Sequence, residues 1–428
     1  MKIKTAPARY EDVIAMPPAV HKKPRRANFF FRTLMKVVSD LFLAGEKPTL
    51  TKIGMDRLGK DEPCIYLMNH SCFIDLPIAA SMIYPRPFSI VATSDSFVGK
   101  DWLMRQIGCI PTQKFVPDLM LIRDMLYAVK ENKSSIVMYP EASYSFDGTA
   151  TPLPDTLAYC LKKLGVPLVM IRTKGAFLRD PLYNNIQVRK VPVSAEMEYL
   201  LSAEEIASMS LEELTTVLHS EFTFDYFRQQ QQSGLKVTEP FRADYLHRVL
   251  YKCPHCLAEG ETEGKGIHLT CKKCGKQYEL TEDGFLKATD GDGRFDHIPD
   301  WYRWEREEVR EEILAGTYGF SADVDIMMLV DTKCVYRVGE GTLTHGADGF
   351  TLTGCDGALD YRQSPQSSYS LYADYNWYEI GDVICIGTKK ALYYCIPKDK
   401  SVSVAKARLA AEEMYKIVRA KARTDVKA

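Results

Sequence analysis

An apolar run turns polar within Tyr66-Leu67-Met68-Asn69-His70-Ser71-Cys72-Phe73-Ile74-Asp75, and the prediction of the fold starts there. The run from Ile65 to Met68 is short and follows charged residues and a proline, which is typical of a buried strand in an α/β sheet. Residues 76–84 have the pattern of a helix, and Asp75 is a candidate N-cap for it. The order predicts a strand, a loop and a helix, with His70 in the loop at the strand end, where α/β sheets place their sites.

His70 and Asp75 are side chains of the kind that general-base catalysis uses. A neutral imidazole takes a proton from an alcohol near pH 7, and a carboxylate holds the ring in one tautomer and stabilises the imidazolium. Two residues five positions apart on one helix point about 140° apart, so the pair can meet only if His70 precedes the helix. Taken alone, the spacing also fits a polar loop histidine beside an N-cap aspartate.

A second strand runs into a polar turn at residues 136–145. The order of Asn-His-x4-Asp and then aromatic-Pro-Glu-small-Ser resembles the glycerolipid acyltransferase family, whose best-known members acylate 1-acylglycerol-3-phosphate to phosphatidic acid. The resemblance covers roughly residues 50–195. The matching positions are Asn69, His70 and Asp75 in the first block, Gly108 to Lys114 in a looser second block, Tyr139, Pro140, Glu141 and Ser145 in the third, with Ser143 in place of a threonine, and Gly165 to Met170 in the fourth.

The resemblance implies a mechanism and a substrate class. His70 would take the proton from the acceptor hydroxyl and Asp75 would orient the imidazole, while backbone N–H groups near the turn hold the oxyanion. The donor is expected to be an acyl thioester of coenzyme A or of acyl carrier protein, and the acceptor a lysophospholipid. The expected substrate-binding residues are Asn69, Ser71, Lys114, Glu141, Ala142, Ser143 and Tyr144.

The chain departs from the family pattern at four positions. Ala142 stands for the glycine of the third block, Tyr144 for its arginine, Lys114 for the second-block arginine and Met170 for a proline. Arginine binds a phosphate with a two-pronged fork, whereas lysine offers a point charge and tyrosine a hydroxyl. Lys114 is the expected partner of an acceptor phosphate, and the reserve candidates are Arg105, Arg172 and Lys174.

Four cysteines have the spacing of a zinc ribbon. Cys253 and Cys256 form one knuckle, and Cys271 and Cys274 form the other. Four thiolates make a closed tetrahedral zinc site, which stabilises a fold and leaves no position for catalysis. The alternatives are a degenerate copy without metal and a redox dithiol pair. Zinc ribbons contact nucleic acid or protein, so the spacing assigns no partner.

The composition bounds the class of protein. The 428 residues are 46% hydrophobic and 26% charged, with a net charge of −1, which argues against a general nucleic-acid binder. The sequence contains no run of about 18 apolar residues, so no membrane-spanning helix is expected. The N-terminal residues lack the apolar core of a signal peptide. Twelve cysteines in such a chain indicate metal ligands and free thiols, so the expected location is cytoplasmic.

The segment before the first block predicts contact with a membrane surface. Residues 1–27 read as loosely ordered and end in a basic cluster at residues 22–26. The helix that follows, at residues 29–43, carries Phe30, Leu34, Val37, Val38 and Leu41 on one stripe. A basic cluster beside such a helix fits the cytoplasmic face of an anionic membrane. The alternative is a helix docked on its own domain.

The rest of the first half alternates strand and helix patterns, which predicts a mostly parallel sheet with flanking helices. Capping boxes at Ser202-x-x-Glu205 and Ser210-x-x-Glu213 open two helices, the second running to about Arg228. Residues 186–193 alternate as a strand does, and the tract 229–234 reads as a polar linker. The other predicted elements are strands at 89–93, 135–139 and 166–171 and helices at 102–107, 118–130 and 156–164.

The last third predicts antiparallel strands between two helices. Asp300 and Gly316 are the expected caps of the first helix, whose Trp301 and Trp304 should anchor a neighbouring domain. The second helix spans residues 404–422 and follows short strands, an arrangement that resembles a pleckstrin-homology-like barrel. The strand runs are 324–330, 333–338, 341–344, 349–352, 369–373, 377–380, 382–387 and 391–396.

The sequence therefore predicts an α/β acyltransferase domain followed by a zinc ribbon and a β-rich domain, working as a peripheral-membrane O-acyltransferase. The rival hypothesis is a catalytically degenerate lipid-binding scaffold that uses the ribbon and barrel. A nucleic-acid-binding ribbon has little charge support. The predicted segments are 1–48 for the tail and interface helix, 49–234 for the acyltransferase domain, 235–292 for the ribbon and 293–428 for the β-rich domain.

Overall fold

The computed structural model describes residues 2–17 and 19–425, with side chains up to residue 422. Its first strand belongs to the C-terminal sheet: β1 (Thr5–Pro7) pairs in parallel with residues 335–337. Helix α1 (Tyr10–Ile14) follows and buries Val13 completely. The prediction of a loosely ordered tail is therefore wrong for these residues, because the last sheet of the chain supplies partners for their backbone. Helix α2 (Phe29–Leu43) is where the sequence places it.

A seven-stranded sheet forms the centre of the first half, in the order β2-β8-β7-β3-β6-β4-β5. Every neighbouring pair is parallel except β7 with β8, as the predicted mostly parallel sheet requires. Its strands are β2 (Thr49–Ile53), β3 (Ile65–Met68), β4 (Phe88–Thr93), β5 (Cys109–Thr112), β6 (Ser135–Met138), β7 (Leu168–Lys174) and β8 (Ser194–Leu201).

Helices cover both faces of this sheet. Tyr66 and Met68 of β3 point into one apolar core, and Ile65 and Leu67 point into the other, since successive strand side chains alternate between faces. Strands buried on both sides explain the uninterrupted apolar runs in the sequence. The helices are α3 (Asp75–Ile83), α4 (Asp101–Gln106), α5 (Leu119–Lys130), α6 (Leu157–Leu164), α7 (Ala176–Arg179), α8 (Ala203–Ser208), α9 (Leu211–Glu221) and α10 (Tyr226–Ser233).

Three local predictions in this half are wrong. Residues 186–193 form no strand, since Pro192 lacks an N–H and the pairing strand is β8, one segment later. The helix opened by Ser210 ends at Glu221, and Asp225 caps the separate helix α10 by accepting from the Arg228 N–H at 2.8 Å. The glutamine tract is part of α10 and no linker, and buried Gln230 donates to the Glu282 carbonyl. Both predicted capping boxes are present.

The cysteine segment forms a sheet of four short antiparallel strands in the order β12-β11-β10-β9. Trp301 lies edge-on to Tyr278 at 5.1 Å and donates its indole N–H to the Lys252 carbonyl, so the helix after this sheet is anchored to it. The strands are β9 (Thr262–Lys265), β10 (His268–Cys271), β11 (Gln277–Leu280) and β12 (Leu286–Ala288).

The C-terminal region is one antiparallel sheet in the order β16-β15-β14-β13-β19-β18-β17, framed by helices α11 (Ile298–Leu314) and α12 (Val404–Asp425). Closure into a pleckstrin-homology-like barrel stays a prediction. The strands are β13 (Phe320–Leu329), β14 (Val335–Gly346), β15 (Gly349–Gly354), β16 (Leu359–Gln363), β17 (Tyr372–Trp377), β18 (Gly381–Gly387) and β19 (Leu392–Pro397).

Several details of this region differ from the sequence pattern. The runs 333–338 and 341–344 are one long strand, β14, and β16 has no counterpart among the predicted runs. Residues 378–380 lie in the turn between β17 and β18, where Tyr378 and Glu379 have positive φ. The N-cap of α11 is His297 and its C-cap Ala315, so Asp300 lies in the first turn and Gly316 one residue past the cap.

Short 3-10 helices connect some of these elements. No helix within the described residues is long and apolar enough to cross a membrane. The 3-10 helices lie at Met55–Arg57, Ser94–Phe97, Leu182–Asn184, Leu246–Arg248, Cys355–Gly357 and Pro365–Ser367.

Candidate active site

The turn between β3 and α3 brings His70 and Asp75 together. Asp75 Oδ2 lies 3.3 Å from His70 Nδ1 and accepts the backbone N–H groups of Ser71 and Cys72 at 2.7 and 3.1 Å. The carboxylate therefore folds back over the loop that precedes its helix. The N-cap of α3 is Ile74, so the predicted N-cap role of Asp75 is wrong: Asp75 is the first helical residue. Bonding at Nδ1 leaves Nε2 of His70 to take a proton.

The imidazole of His70 lies between two tyrosines. The ring of Tyr139 stacks on it at 4.2 Å, and the ring of Tyr144 lies at 4.3 Å. Burial lowers the pKa of His70, and the hydrogen bond and charge of Asp75 partly oppose that shift. The side chain of His70 is 21% exposed and that of Asp75 is fully buried. The histidine is thus neutral near pH 7 and still reachable, which is the state that a general base needs.

Glu141 braces the backbone of His70 and does not touch its ring. Its Oε2 accepts the His70 backbone N–H at 2.9 Å, and its Oε1 accepts the Thr151 N–H at 2.8 Å and hydroxyl at 3.2 Å. The residue is fully buried. Burial raises the pKa of Glu141 to about 7, against the lowering effect of these hydrogen bonds. Glu141, from the third sequence block, therefore fixes the backbone of the turn that carries His70.

Asn69 and Ser71 hold the other side of the same turn. Asn69 Oδ1 accepts the Thr173 N–H at 2.8 Å, and its Nδ2 donates to Thr173 Oγ1 at 3.0 Å and to the Tyr226 hydroxyl. The Ser71 and Tyr226 hydroxyls lie 2.7 Å apart. All four residues are at most 3% exposed. Sequence reasoning missed Thr173 and Tyr226, because no local pattern marks a residue that meets the turn only in the folded chain.

Ala142 and Ser143 continue the third block away from the imidazole. Ala142 has a φ of +56°, in the left-handed region that favours glycine, which gives a physical reason for the glycine in the family pattern. Ser143 Oγ accepts from Nη1 of Arg408, a buried arginine on α12, at 3.3 Å. Arg408 Nε in turn donates to Glu412 at 3.2 Å. The C-terminal helix thus reaches the third block, a contact that the sequence does not signal.

Among the candidate phosphate-binding cations, Lys114 has an electrostatic effect on His70. Its charge lowers the pKa of His70 slightly, after the effects of burial and of Asp75. Arg172 pairs with Glu196, Glu198 and Glu221. Arg105 pairs with Asp101 at 3.0 Å, and Lys174 is exposed at the end of β7. The reserve arginines are therefore engaged elsewhere.

The four predicted cysteines come together as a cluster. Their Sγ atoms all lie within 4.8 Å of one another, with 3.8 Å between Cys253 and Cys274 and 3.7 Å between Cys256 and Cys271. These separations exceed the roughly 2.05 Å of a disulfide. A tetrahedron with zinc–sulfur bonds of about 2.3 Å has edges of about 3.8 Å. The donor set and its spacing both fit a tetrahedral zinc ion.

An exposed apolar surface lies beside the turn that carries His70. Phe30 and Leu41 of α2 are 65% and 72% exposed, and Val37, Val38 and Leu34 are exposed with them. Phe42 of the same helix contacts Phe73 of that turn edge-on at 5.7 Å. Trp102 of α4 meets Phe31 at 6.0 Å and extends the surface. The predicted apolar stripe therefore faces outward, and Phe42, next to it on the helix, contacts the loop that carries His70.

Comparisons with known proteins agree with the family suggested by the motifs. Residues 49–174 match the family model described as Acyltransferase. A chloroplastic 1-acyl-sn-glycerol-3-phosphate acyltransferase of Brassica napus is 27% identical over 127 residues, which are 28% of this chain and 36% of that protein. The chain thus spans little more than a third of the length of this curated relative. The structure of the 1-acyl-sn-glycerophosphate (LPA) acyltransferase PlsC from Thermotoga maritima aligns with a TM-score of 0.36 and 15% identity, over 45% of this chain and 76% of that one.

Proposed function

We propose that this chain, whose residues 49–174 belong to the glycerolipid acyltransferase family, transfers a fatty acyl group from a thioester to the free hydroxyl of a lysophospholipid. The observation that carries the proposal is the His70–Asp75 pair: Nδ1 is bound to the carboxylate and the side chain is partly exposed, while burial lowers the pKa of the ring. Such a pair suits proton removal from an alcohol. A protein that only held lipid would have no need of it.

The proposed reaction is direct transfer from the thioester to the acceptor, without a covalent acyl-enzyme. His70 Nε2 takes the proton of the acceptor hydroxyl as the oxygen attacks the thioester carbonyl carbon. A C–O bond forms, the tetrahedral intermediate breaks its C–S bond, and the departing thiolate receives the proton from the imidazolium. Asp75 stabilises that imidazolium during the transfer. Cys72 is no candidate nucleophile, since burial raises the pKa of its thiol well above the usual value.

The proposed acceptor is 1-acylglycerol-3-phosphate, which would give phosphatidic acid. Lys114 supports this choice, because its charge acts on His70 and its ammonium forms no ion pair with a residue that the structure describes. The relative from Brassica napus carries this substrate in its name. Lys114 and Tyr144 stand where the family pattern has arginines, so a different lysophospholipid is the competing acceptor. The donor is a thioester of coenzyme A or of acyl carrier protein.

We place the enzyme on the cytoplasmic face of a membrane. The outward apolar face of α2 supports this placement, since burying such side chains favours partition into the interface by roughly 1.5–3 kcal/mol each. The basic residues before α2, at positions 22–26, add attraction to anionic lipid. Contact of Phe42 with Phe73 brings the same surface to the catalytic turn. A lipid acceptor would then reach His70 without crossing water.

We assign a structural zinc ion to Cys253, Cys256, Cys271 and Cys274. Four thiolates fill a tetrahedral site and leave no position for a substrate. The ion would cross-link two turns of a small sheet and supply no step of the acyl transfer.

The test is acyl transfer from a labelled long-chain thioester to a panel of lysophospholipids on anionic vesicles, with both donor types. Label in phosphatidic acid supports enzyme and acceptor together. Label only in another phospholipid keeps the mechanism and changes the acceptor. No transfer to any acceptor by folded, zinc-loaded protein would overturn the proposal in favour of a lipid-binding scaffold.

A further inference from the structure

Lys114 of the first sheet packs against a residue of the last sheet. Its ammonium nitrogen lies 4.2 Å from the centre of the Tyr372 ring, within the range of a cation–π contact. Tyr372 is the first residue of β17 and is only 3% exposed. The cation assigned to the acceptor phosphate is therefore held by the C-terminal region.

The ring of Tyr372 is itself fixed from the acyltransferase side. Its hydroxyl donates to Asp95 Oδ2 at 2.8 Å, and the indole N–H of Trp377 donates to the same oxygen at 3.2 Å. Asp95 lies in the 3-10 helix after β4 and is 1% exposed. Tyr372 is thus clamped between the two sheets and presents its face to Lys114 in one orientation.

Neighbouring residues make further contacts between the same two regions of the chain. Phe115, next to Lys114, packs edge-on against Tyr369 at 5.4 Å. Asp374 shares the face of β17 with Tyr372, because side chains two apart in a strand point the same way. The charge of Lys114 acts on Asp374, and that of Asp374 acts on Tyr144, the tyrosine beside His70. The charges of Lys114 and Asp374 therefore connect this face of β17 with a ring that contacts His70.

The ammonium of Lys114 can bind a ligand without first breaking an ion pair. It forms no salt bridge with any residue that the structure describes. A free lysine side chain loses up to about 2 kcal/mol of rotamer entropy when it is fixed on a ligand. A lysine already placed on an aromatic face has lost part of that freedom before the ligand arrives.

We propose that Tyr372 is a positioning residue of the acceptor site, holding Lys114 where its ammonium meets the phosphate of the acceptor. The C-terminal sheet is then a wall of the acyltransferase site. This inference rests on the proposed function and adds the source of head-group recognition. It gives the C-terminal region a role that no motif in its sequence indicates.

The test is a double-mutant cycle on binding, with soluble 1-hexanoylglycerol-3-phosphate as the probe. We expect Tyr372→Leu to raise the Kd about tenfold, from the loss of a cation–π contact and of preorganisation. We expect Lys114→Met to raise it at least as much, and the double variant to bind no worse than Lys114→Met alone. Additive losses, or no loss in folded Tyr372→Leu, would overturn the inference.

Two further measurements separate positioning from general damage to the sheet. Phe350→Leu removes a buried ring elsewhere in the same sheet, stacked on His345 at 3.8 Å, and should lower stability without changing the Kd. An equal loss of binding in this control would overturn the proposal. Replacing Tyr372 by phenylalanine and then by its pentafluoro analogue keeps the shape and weakens the π face. The phenylalanine variant measures the effect of losing the hydroxyl bond to Asp95, and the Kd should rise further at the second replacement. An equal Kd for the two variants would contradict a cation–π role.

The same cycle separates this inference from the proposed function, since binding needs no turnover. Wild-type protein that binds the probe but transfers no acyl group would overturn the proposed function alone. Active protein without coupling between Lys114 and Tyr372 would overturn the inference alone. The phosphate-free probe 1-hexanoylglycerol should bind wild type and Lys114→Met equally, and a difference would show that Lys114 does not act on phosphate.

Discussion

Two polar clusters of this chain, the turn at residues 69–75 that carries His70 and the four cysteines, differ in what stabilises them. The turn is held by buried residues of its own domain, among them Glu141, Thr173 and Tyr226, over two apolar cores. The cysteines lie at the end of one strand and in the turns beside a sheet of four strands of three or four residues each. A large core can hold reactive groups in place, whereas a small sheet needs the cluster to hold it. Losing the first should remove chemistry, and losing the second should remove stability.

The largest effect on stability should come from the cysteine cluster. Cys256→Ser should abolish zinc binding and lower the apparent Tm by roughly 10 °C or more, because structural zinc contributes about 10 kcal/mol in small modules. The measurements are zinc content and a thermal scan. Cys355→Ser, a cysteine outside the cluster, is the control and should keep its metal. A metal-free protein of unchanged Tm would break the contrast between the two clusters.

Asp75→Asn should lower the catalytic rate more than it lowers the stability of the fold. We expect kcat/KM to fall roughly 10²- to 10³-fold, because the imidazolium loses its stabilising charge. Asp75 raises the pKa of His70 against the lowering effect of burial. The acid limb of the pH profile, already below the usual value of about 6.5, should therefore move to still lower pH in the variant. A limb that moves upward would contradict the assigned contact; Asp283→Asn should leave the profile unchanged.

Glu141→Gln should change how stability depends on pH. The native pKa of about 7 lies above the ordinary value of 4.5, so folded protein holds the proton more tightly than unfolded protein. Stability from this group is present below pH 4.5 and is lost as the pH rises through 7, by about 3 kcal/mol in total. The free energy of unfolding of the variant relative to wild type should rise by that amount between pH 4.5 and 8. Denaturant titrations at both pH values measure it, and a constant difference would refute it.

The smallest effect should come from Ala142→Gly. An alanine at a φ of +56° is strained, and glycine relieves that strain at the cost of chain entropy. We expect a gain of up to about 1 kcal/mol in the free energy of unfolding. Ala358→Gly, at a φ of −76°, is the matched control and should lose stability. A loss at residue 142 would mean that the turn does not keep this conformation.

The parts of the fold that the sequence predicts well are those set by neighbouring residues. The strand Ile65–Met68 and both capping boxes are found as predicted, because apolar runs and Ser-x-x-Glu patterns act within a few residues. The cysteine cluster follows from spacing in the same way. Residues 186–193 show the limit: they alternate in burial like a strand, but the pairing partner of β7 is the next segment.

The residues of the candidate site also differ in whether local sequence predicts them. His70, Asp75 and Glu141 are recognisable because the family blocks keep them close in sequence to strand ends. Tyr226, Arg408 and Tyr372 reach the site from distant segments, and their contacts depend on how α10, α12 and β17 pack. The pairing of β1 with β14 is hidden for the same reason. Long-range contacts of this kind leave no local pattern to read.

The most direct test of the account is the rate of acyl transfer to lysophospholipids on anionic vesicles by wild type, His70→Ala and His219→Ala. His219 is an exposed histidine of α9 and serves as the control. We predict a loss of about 10³-fold or more in His70→Ala with an unchanged Tm, and wild-type rates in His219→Ala. Transfer by His70→Ala within tenfold of wild type would contradict His70 as the general base and, with it, the proposed mechanism.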